Sequence, residues 1–139
     1  MVAEFTIPGT PQAKQRPRFS RRGSYVTSYT PEMTVNYENL VKVSWANENA
    51  DMRLTGALGA EVKLFFPIPK SVSKKKRLAM EVGAVYHTKK PDVDNCLKSI
   101  FDALNGIAYD DDSQIVAVTA AKFYSENPRA WVKITELES

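Results

Sequence analysis

The chain has 139 residues, 43% hydrophobic and 25% charged, which supplies one packed core, excludes wholesale disorder and makes a second domain improbable. Its one cysteine, Cys96, and one histidine, His87, exclude an internal disulfide framework and an ordinary four-ligand zinc site. Nineteen Lys plus Arg against sixteen Asp plus Glu leave a net charge of +3, so the distribution of charge matters more than its sum.

Residues 2 to 7 alternate, with Ala3, Phe5 and Ile7 on one side, as in a half-buried strand that Pro8-Gly9 ends. From Thr10 to Ser28 no period is visible and Pro11, Pro17 and Gly23 break the chain, which predicts a basic, mobile loop over residues 10 to 30. Thr30-Pro31-Glu32 opens a helix, with Thr30 as cap, and Met33, Tyr37, Leu40, Val41, Ser44 and Trp45 make its apolar stripe. Leu58, Ala60, Val62, Leu64 and Phe66 alternate in a second strand.

Ser73 to Val82 reads as a short basic helix. Asp92 to Leu104 reads as a stronger one, with Leu97, Ile100, Phe101 and Leu104 at i, i+3, i+4 and i+7, closed by Asn105-Gly106. Ile115 to Tyr124 and Ala130 to Leu137 are β-rich and separated by Ser125-Glu126-Asn127-Pro128, which predicts a C-terminal hairpin. The expected fold is a single α+β domain, a mixed or antiparallel sheet with helices packed against it. The N-terminus has no leader pattern and no stretch approaches the roughly 18 apolar residues of a membrane span, so a cytoplasmic protein with no membrane partner is expected.

Twelve of the nineteen cations lie in two segments, Lys14, Arg16, Arg18, Arg21 and Arg22 in the first, and Lys70, Lys74, Lys75, Lys76, Arg77, Lys89 and Lys90 in the second. Between residues 92 and 112 stand Asp92, Asp94, Asp102, Asp110, Asp111 and Asp112. Cationic arms release counterions from a polyanion, while clustered carboxylates suit a hard divalent cation, so the pattern points to a metal-dependent enzyme acting on nucleic acid. On charge alone, solvated loops and helix faces explain the basic segments equally well.

Lys90-Pro91-Asp92-Val93-Asp94-Asn95 puts two carboxylates at a helix start, where both can point beyond the helix end. Lys98 follows one turn after Asp94, able to pair with it or to reach a phosphate. Tyr109-Asp110-Asp111-Asp112-Ser113-Gln114 puts three more acids before a strand. Aspartates around one cavity would hold Mg²⁺ and leave water positions for a substrate phosphate. The competing reading makes Asp92 a cap, Asp94 a dipole-favouring acid and the run a solvated turn.

These residues carry a resemblance. Lys90-Pro91-Asp92-Val93-Asp94-Asn95-x-x-Lys98, then Phe101-Asp102-Ala103-Leu104-Asn105-Gly106, then Asp111-Asp112-Ser113-Gln114-Ile115 resembles the RusA family of Holliday junction resolvases. The opening Phe5-x-Ile7-Pro8-Gly9-x-Pro11 and Lys14-Gln15-Arg16-Pro17-Arg18 is similar to phage-type members. The resemblance implies a RusA-like fold and a homodimeric, Mg²⁺-dependent endonuclease that cuts four-way or branched DNA by paired nicks in recombination and repair, with Mn²⁺ able to substitute. Carried over, Asp92, Asp94, Lys98 and Asp112 are the catalytic residues and Asp92, Asp94 and Asp112 the metal ligands, with Asp111 beside them.

In that role the carboxylates hold the ions that polarise the phosphate and activate water, and Lys98 stabilises developing charge. Lys14, Arg16, Arg18, Arg21, Arg22, Lys74, Lys75, Lys76, Arg77, Lys89 and Lys90 are the expected phosphate contacts. Tyr25 and Tyr29 are candidates for stacking on bases at the crossover, whereas His87 reads as a loop or strand residue outside the chemistry and Cys96 as a packing residue on its helix. The alternatives are a nuclease acting on flaps and a non-catalytic protein that binds branched DNA.

Overall fold

The computed structural model describes residues 1–16, 18–29 and 31–138, and only the backbone of Arg18, Arg22 and Tyr29. Strand β1 (Val2–Pro8) leads to a hairpin of β2 (Arg18–Arg22) and β3 (Tyr25–Tyr29), then to helix α1 (Glu32–Asn49). Strand β4 (Leu58–Pro67), helices α2 (Lys74–Glu81) and α3 (Val93–Ala103), and strands β5 (Ile115–Ser125) and β6 (Arg129–Glu136) complete the chain. The main sheet has the order β1-β6-β4-β5, with β4 parallel to β5 and antiparallel to β6. The mixed α+β sheet expected from the element order is therefore present.

The alternating residues do what their spacing requires. Ala3, Phe5 and Ile7 of β1, Leu58, Val62, Leu64 and Phe66 of β4, and Ala130, Val132 and Ile134 of β6 are buried, all on one face of the sheet. Helix α1 covers that face through Tyr37, Val41 and Trp45, and the Trp45 ring meets Phe5 edge to face at 5.4 Å. Such a pair is worth about 0.5–1.5 kcal/mol beyond the area it buries. Met33, assigned to the stripe, is 56% exposed, and Thr34 takes the inward position instead. The Thr34 hydroxyl accepts the Gln15 backbone N–H at 3.0 Å, so a polar residue faces inward to hold the preceding segment.

Two expectations change. The predicted C-terminal hairpin does not form, because β5 and β6 flank β4 on opposite sides. Spanning two strand spacings needs only about 10 Å, within reach of the link through Glu126, Asn127 and Pro128, and the long α2–α3 crossover supplies what a parallel β4–β5 pair requires. Second, the segment read as a loop contains the β2–β3 hairpin, paired from Arg18↔Tyr29 to Arg22↔Tyr25 and turning at Gly23 with φ +59°. The predicted Thr30 cap and the Pro17 breaker lie outside the described residues. No helix among the described residues is long and apolar enough to cross a membrane.

Helix α3 organises the rest. Its inner face buries Cys96, Ile100, Phe101 and Ala103, leaving Asp94, Lys98 and Asp102 one turn apart on the outer side. After Leu104 the chain turns through Gly106, whose φ of +74° suits glycine and whose N–H donates to the Tyr109 carbonyl at 2.8 Å. Tyr109 is fully buried and its hydroxyl donates to the Phe101 carbonyl at 2.7 Å, which fastens the turn before the acidic run to α3. Tyr109→Phe is expected to cost about 1 kcal/mol in denaturant unfolding while leaving the fold intact, since one net hydrogen bond is lost and no cavity forms.

Candidate active site

The structure divides the aspartates between the two ends of α3. At the N-terminal end Asp92 occupies the N-cap position in extended conformation, yet its side chain makes no cap hydrogen bond. Asp94 stands in the first turn, and both are exposed. Asp92 is therefore not serving as a side-chain cap.

At the other end, the three consecutive acids have three different surroundings. Asp110 is 83% exposed in its side chain and pairs with Arg53 at 2.6 Å. Asp111 accepts the Ser113 N–H at 3.1 Å while the Gln114 side chain accepts the N–H groups of Asp110 and Asp111 at 3.0 Å, a capping box that closes a one-turn 3₁₀ helix. The Ser113 hydrogen bonds hold the Asp111 carboxyl below the usual carboxylate range. Asp112 turns the other way: its N–H donates to Asn105 Oδ1 at 2.8 Å, and its carboxyl hydrogen-bonds Asp102.

Asp102 is the hub that the sequence reading left out of the site. Its Oδ2 lies 2.8 Å from Lys14 Nζ and 3.4 Å from Lys98 Nζ. Burial works against its ionisation, but the hydrogen bonds from Lys14 and Asp112 and the two ammonium charges outweigh it and keep Asp102 below the ordinary carboxylate range. Burial, and then the hydrogen bond to Asp102 and the charges of Asp102 and Asp111, push Asp112 the opposite way. Two carboxyls that share a site titrate as a pair, and their pKa values separate in this manner. The signal was present in the sequence: Asp94, Lys98 and Asp102 stand at i, i+4 and i+8 of one helix, and Lys98 looks forward to Asp102.

Lys14 is correspondingly paired within the protein. Expected on DNA phosphate, its ammonium is engaged by Asp102 and by Glu38 at 3.5 Å. Its own N–H donates to the Asn95 carbonyl, and the Ser99 hydroxyl donates to the Gln12 carbonyl, so the stretch before the hairpin is strapped along α3. Arg77 is likewise occupied, by Glu126 at 3.4 Å and the Pro69 carbonyl at 3.3 Å. Arg16, Arg21, Lys74, Lys75, Lys76, Lys89 and Lys90 are exposed and have no ion-pair partner among the described residues. The side chains of Arg18, Arg22 and Tyr29 lie outside the described residues; Tyr25 on the hairpin is 76% exposed, and Phe19 on the other strand is 73% exposed.

The difference between the paired Lys14 and the exposed lysines of α2 has a measurable consequence. Lys74→Ala with Lys75→Ala should reduce the slope of log affinity for DNA against log salt by up to about 1.8, as two lost phosphate contacts require. Lys14→Met should leave that slope unchanged and instead destabilise the fold by about 1–2 kcal/mol, because Asp102 loses a charged hydrogen-bond partner.

His87 and Cys96 stay outside the site. His87 stacks on Phe66 at 4.0 Å, and burial, then the Lys122 charge, lower its pKa. Cys96 is fully buried, and burial pushes its thiol up to about 11. The donors in kind fit a hard divalent cation, since the polar groups around α3 are carboxylates and an amide oxygen with no thiolate or imidazole among them. In arrangement they form separate groups: among the described residues no three Asp, Glu, His or Cys side chains stand close enough together to hold one ion.

The family described as endodeoxyribonuclease RusA matches residues 8–135. The chain is 41% identical over 138 residues to the uncharacterized protein YqaN of Bacillus subtilis (strain 168), covering 98% of this chain and 97% of that one. It is 26% identical over 135 residues, 96% of each chain, to the crossover junction endodeoxyribonuclease rusA of Lactococcus phage r1t.

Proposed function

This chain belongs to the RusA family of endodeoxyribonucleases, and from that premise we propose that it resolves four-way DNA junctions by paired, symmetric nicks as a homodimer using Mg²⁺. The observation that supports it best is the Asp102–Asp112 carboxyl pair set beside the exposed Lys98, on the helix whose first turn presents Asp92 and Asp94. Asp92 and Asp94 at one end of α3 and Asp112 at the other, with Asp111 next in the chain, would have to converge to hold the ion, since no three of the described acids stand that close together here. Mn²⁺ would serve as well because it takes the same oxygen ligands. The bound ion supplies polarisation of the phosphate and a more acidic attacking water.

The remaining work falls to side chains of this chain. Lys98, 62% exposed, has its ammonium 3.4 Å from Asp102 Oδ2 and would turn from it to a non-bridging phosphate oxygen, where charge develops. Lys14 keeps Asp102 charged and in place. Lys74, Lys75, Lys76, Lys89, Lys90, Arg16 and Arg21 bind phosphates without reading sequence, and the open Tyr25 offers a ring to bases at the crossover. A four-way junction has near two-fold symmetry and is cut twice, which a two-fold dimer matches.

The test compares a synthetic four-way junction, a flap and a linear duplex, each with and without Mg²⁺, on denaturing gels. Symmetric nicks confined to the junction and to Mg²⁺ are expected. Preferential cutting of the flap, or junction binding with no cleavage, would overturn the assignment.

A further inference from the structure

Away from the carboxylates, α2 and the stretch before α3 enclose a cavity of about 500 Å³, within the range of small-ligand sites. Met80 and Tyr124, both buried, form its floor with Val85, and this floor is a small core of its own, apart from the main one. The Tyr86 ring, 58% exposed, makes one wall, while Lys76 and Lys89 line the rim. No acid lines the cavity.

The charge here is uncompensated. Neither rim lysine has an ion-pair partner among the described residues. The Lys89 carbonyl accepts the Lys122 ammonium at 2.6 Å, which puts a third cation behind the wall. An apolar floor with an aromatic wall and a cationic rim suits a flat uncharged ring joined to a phosphate, the chemistry of a nucleotide. A base inside a duplex cannot enter such a cavity, but one flipped out at a branch point or a bulge can, and flipping costs least where pairing is already disrupted. Lys89 also stands three residues before Asp92, so the rim of the cavity lies close along the chain to the N-terminal carboxylates.

Building on the reading of this chain as a nuclease of branched DNA, we propose that the cavity captures one unpaired nucleotide of the substrate, its base against Met80, Val85 and Tyr124 beside Tyr86, and its phosphate between Lys76 and Lys89. The cavity thereby favours branched DNA over duplex through a base contact rather than through charge alone.

The test measures binding by fluorescence anisotropy in EDTA to a duplex carrying one bulged thymidine and to the same duplex with an abasic residue in the bulge. The wild-type protein should bind the thymidine bulge about tenfold more tightly. Tyr86→Ala, which removes the wall, and Thr88→Trp, which fills the mouth from an exposed lining position, should each bring the ratio below about twofold while circular dichroism stays native. A wild-type ratio below twofold, or a ratio that either variant leaves at the wild-type value, overturns the proposal. The bulged duplex is not a junction, so the cavity is tested independently of resolution. Junction cleavage by the same preparations without base discrimination removes the cavity alone, and base discrimination without junction cleavage removes the resolvase reading alone.

Discussion

Asp92→Asn is expected to abolish cleavage while leaving folding and junction binding near the wild-type level. Asparagine is as good an N-cap as aspartate, and the Asp92 side chain makes no cap hydrogen bond, so little stability rides on its charge. Its position at the positive end of α3 lends about 0.3–1 kcal/mol at an exposed site, less as salt screens it. A carboxylate that binds a hard cation cannot be replaced by a neutral amide at similar affinity. The rate should therefore fall by more than the about 10- to 100-fold typical for loss of an outer partner of a metal ligand. Melting temperature, junction affinity in EDTA and single-turnover cleavage in Mg²⁺ separate the two roles. Near-normal cleavage would return Asp92 to a helix-terminus residue with no part in the chemistry.

The parts of the molecule that were legible in the sequence are those where burial imposes a period. Phe5 and Ile7, Leu58 to Phe66, and Ile100 with Phe101 and Leu104 are inside because a strand or helix with one buried face must repeat its apolar residues at 2 or 3.6. The β2–β3 hairpin was invisible for the converse reason: Phe19, Tyr25 and Val26 are exposed, so neither strand has a buried face to show alternation. Its one signal was Gly23-Ser24 between residues of high β-propensity. Pairing partners were also illegible, since a short polar link at 125–128 is compatible with a hairpin and with a step across β4.

The site was legible as residue types and order but not as distances. Motif spacing brings Asp92, Asp94, Lys98 and Asp112 to attention, whereas α3 separates Asp94 from Asp102 by two turns, about 12 Å of rise. The carboxyl nearest Asp112 is thus Asp102, on the last turn of the helix. The fate of Lys14 shows the same limit. A lysine in a basic segment reads as a phosphate contact until the fold places Asp102 and Glu38 next to it.

The strongest discrimination is expected within the run Asp110-Asp111-Asp112, where sequence alone offers three equivalent acids. Asp112→Asn should lose hydrolysis at nearly unchanged stability, whereas Asp110→Asn should keep most of it. Asp110 faces away to an exposed Arg53, and exposed pairs contribute only about 0–1 kcal/mol. Asp112 faces Asp102 and Lys98, so its carboxyl belongs to the same constellation as the lysine proposed to meet the phosphate. An amide there donates its N–H to Asp102, which preserves the local fold, but it cannot become the carboxylate that a hard cation needs. Partial rescue by Mn²⁺ is expected for Asp112→Asn, because Mn²⁺ binds oxygen and nitrogen donors more tightly than Mg²⁺ does. Asp111→Asn serves as the control for structure: it keeps an acceptor for the Ser113 N–H, so the capping box survives. If Asp110→Asn were the dead enzyme and Asp112→Asn the active one, the site would lie on the Arg53 side of the turn, and the pairing of Asp112 with Asp102 would be structural only.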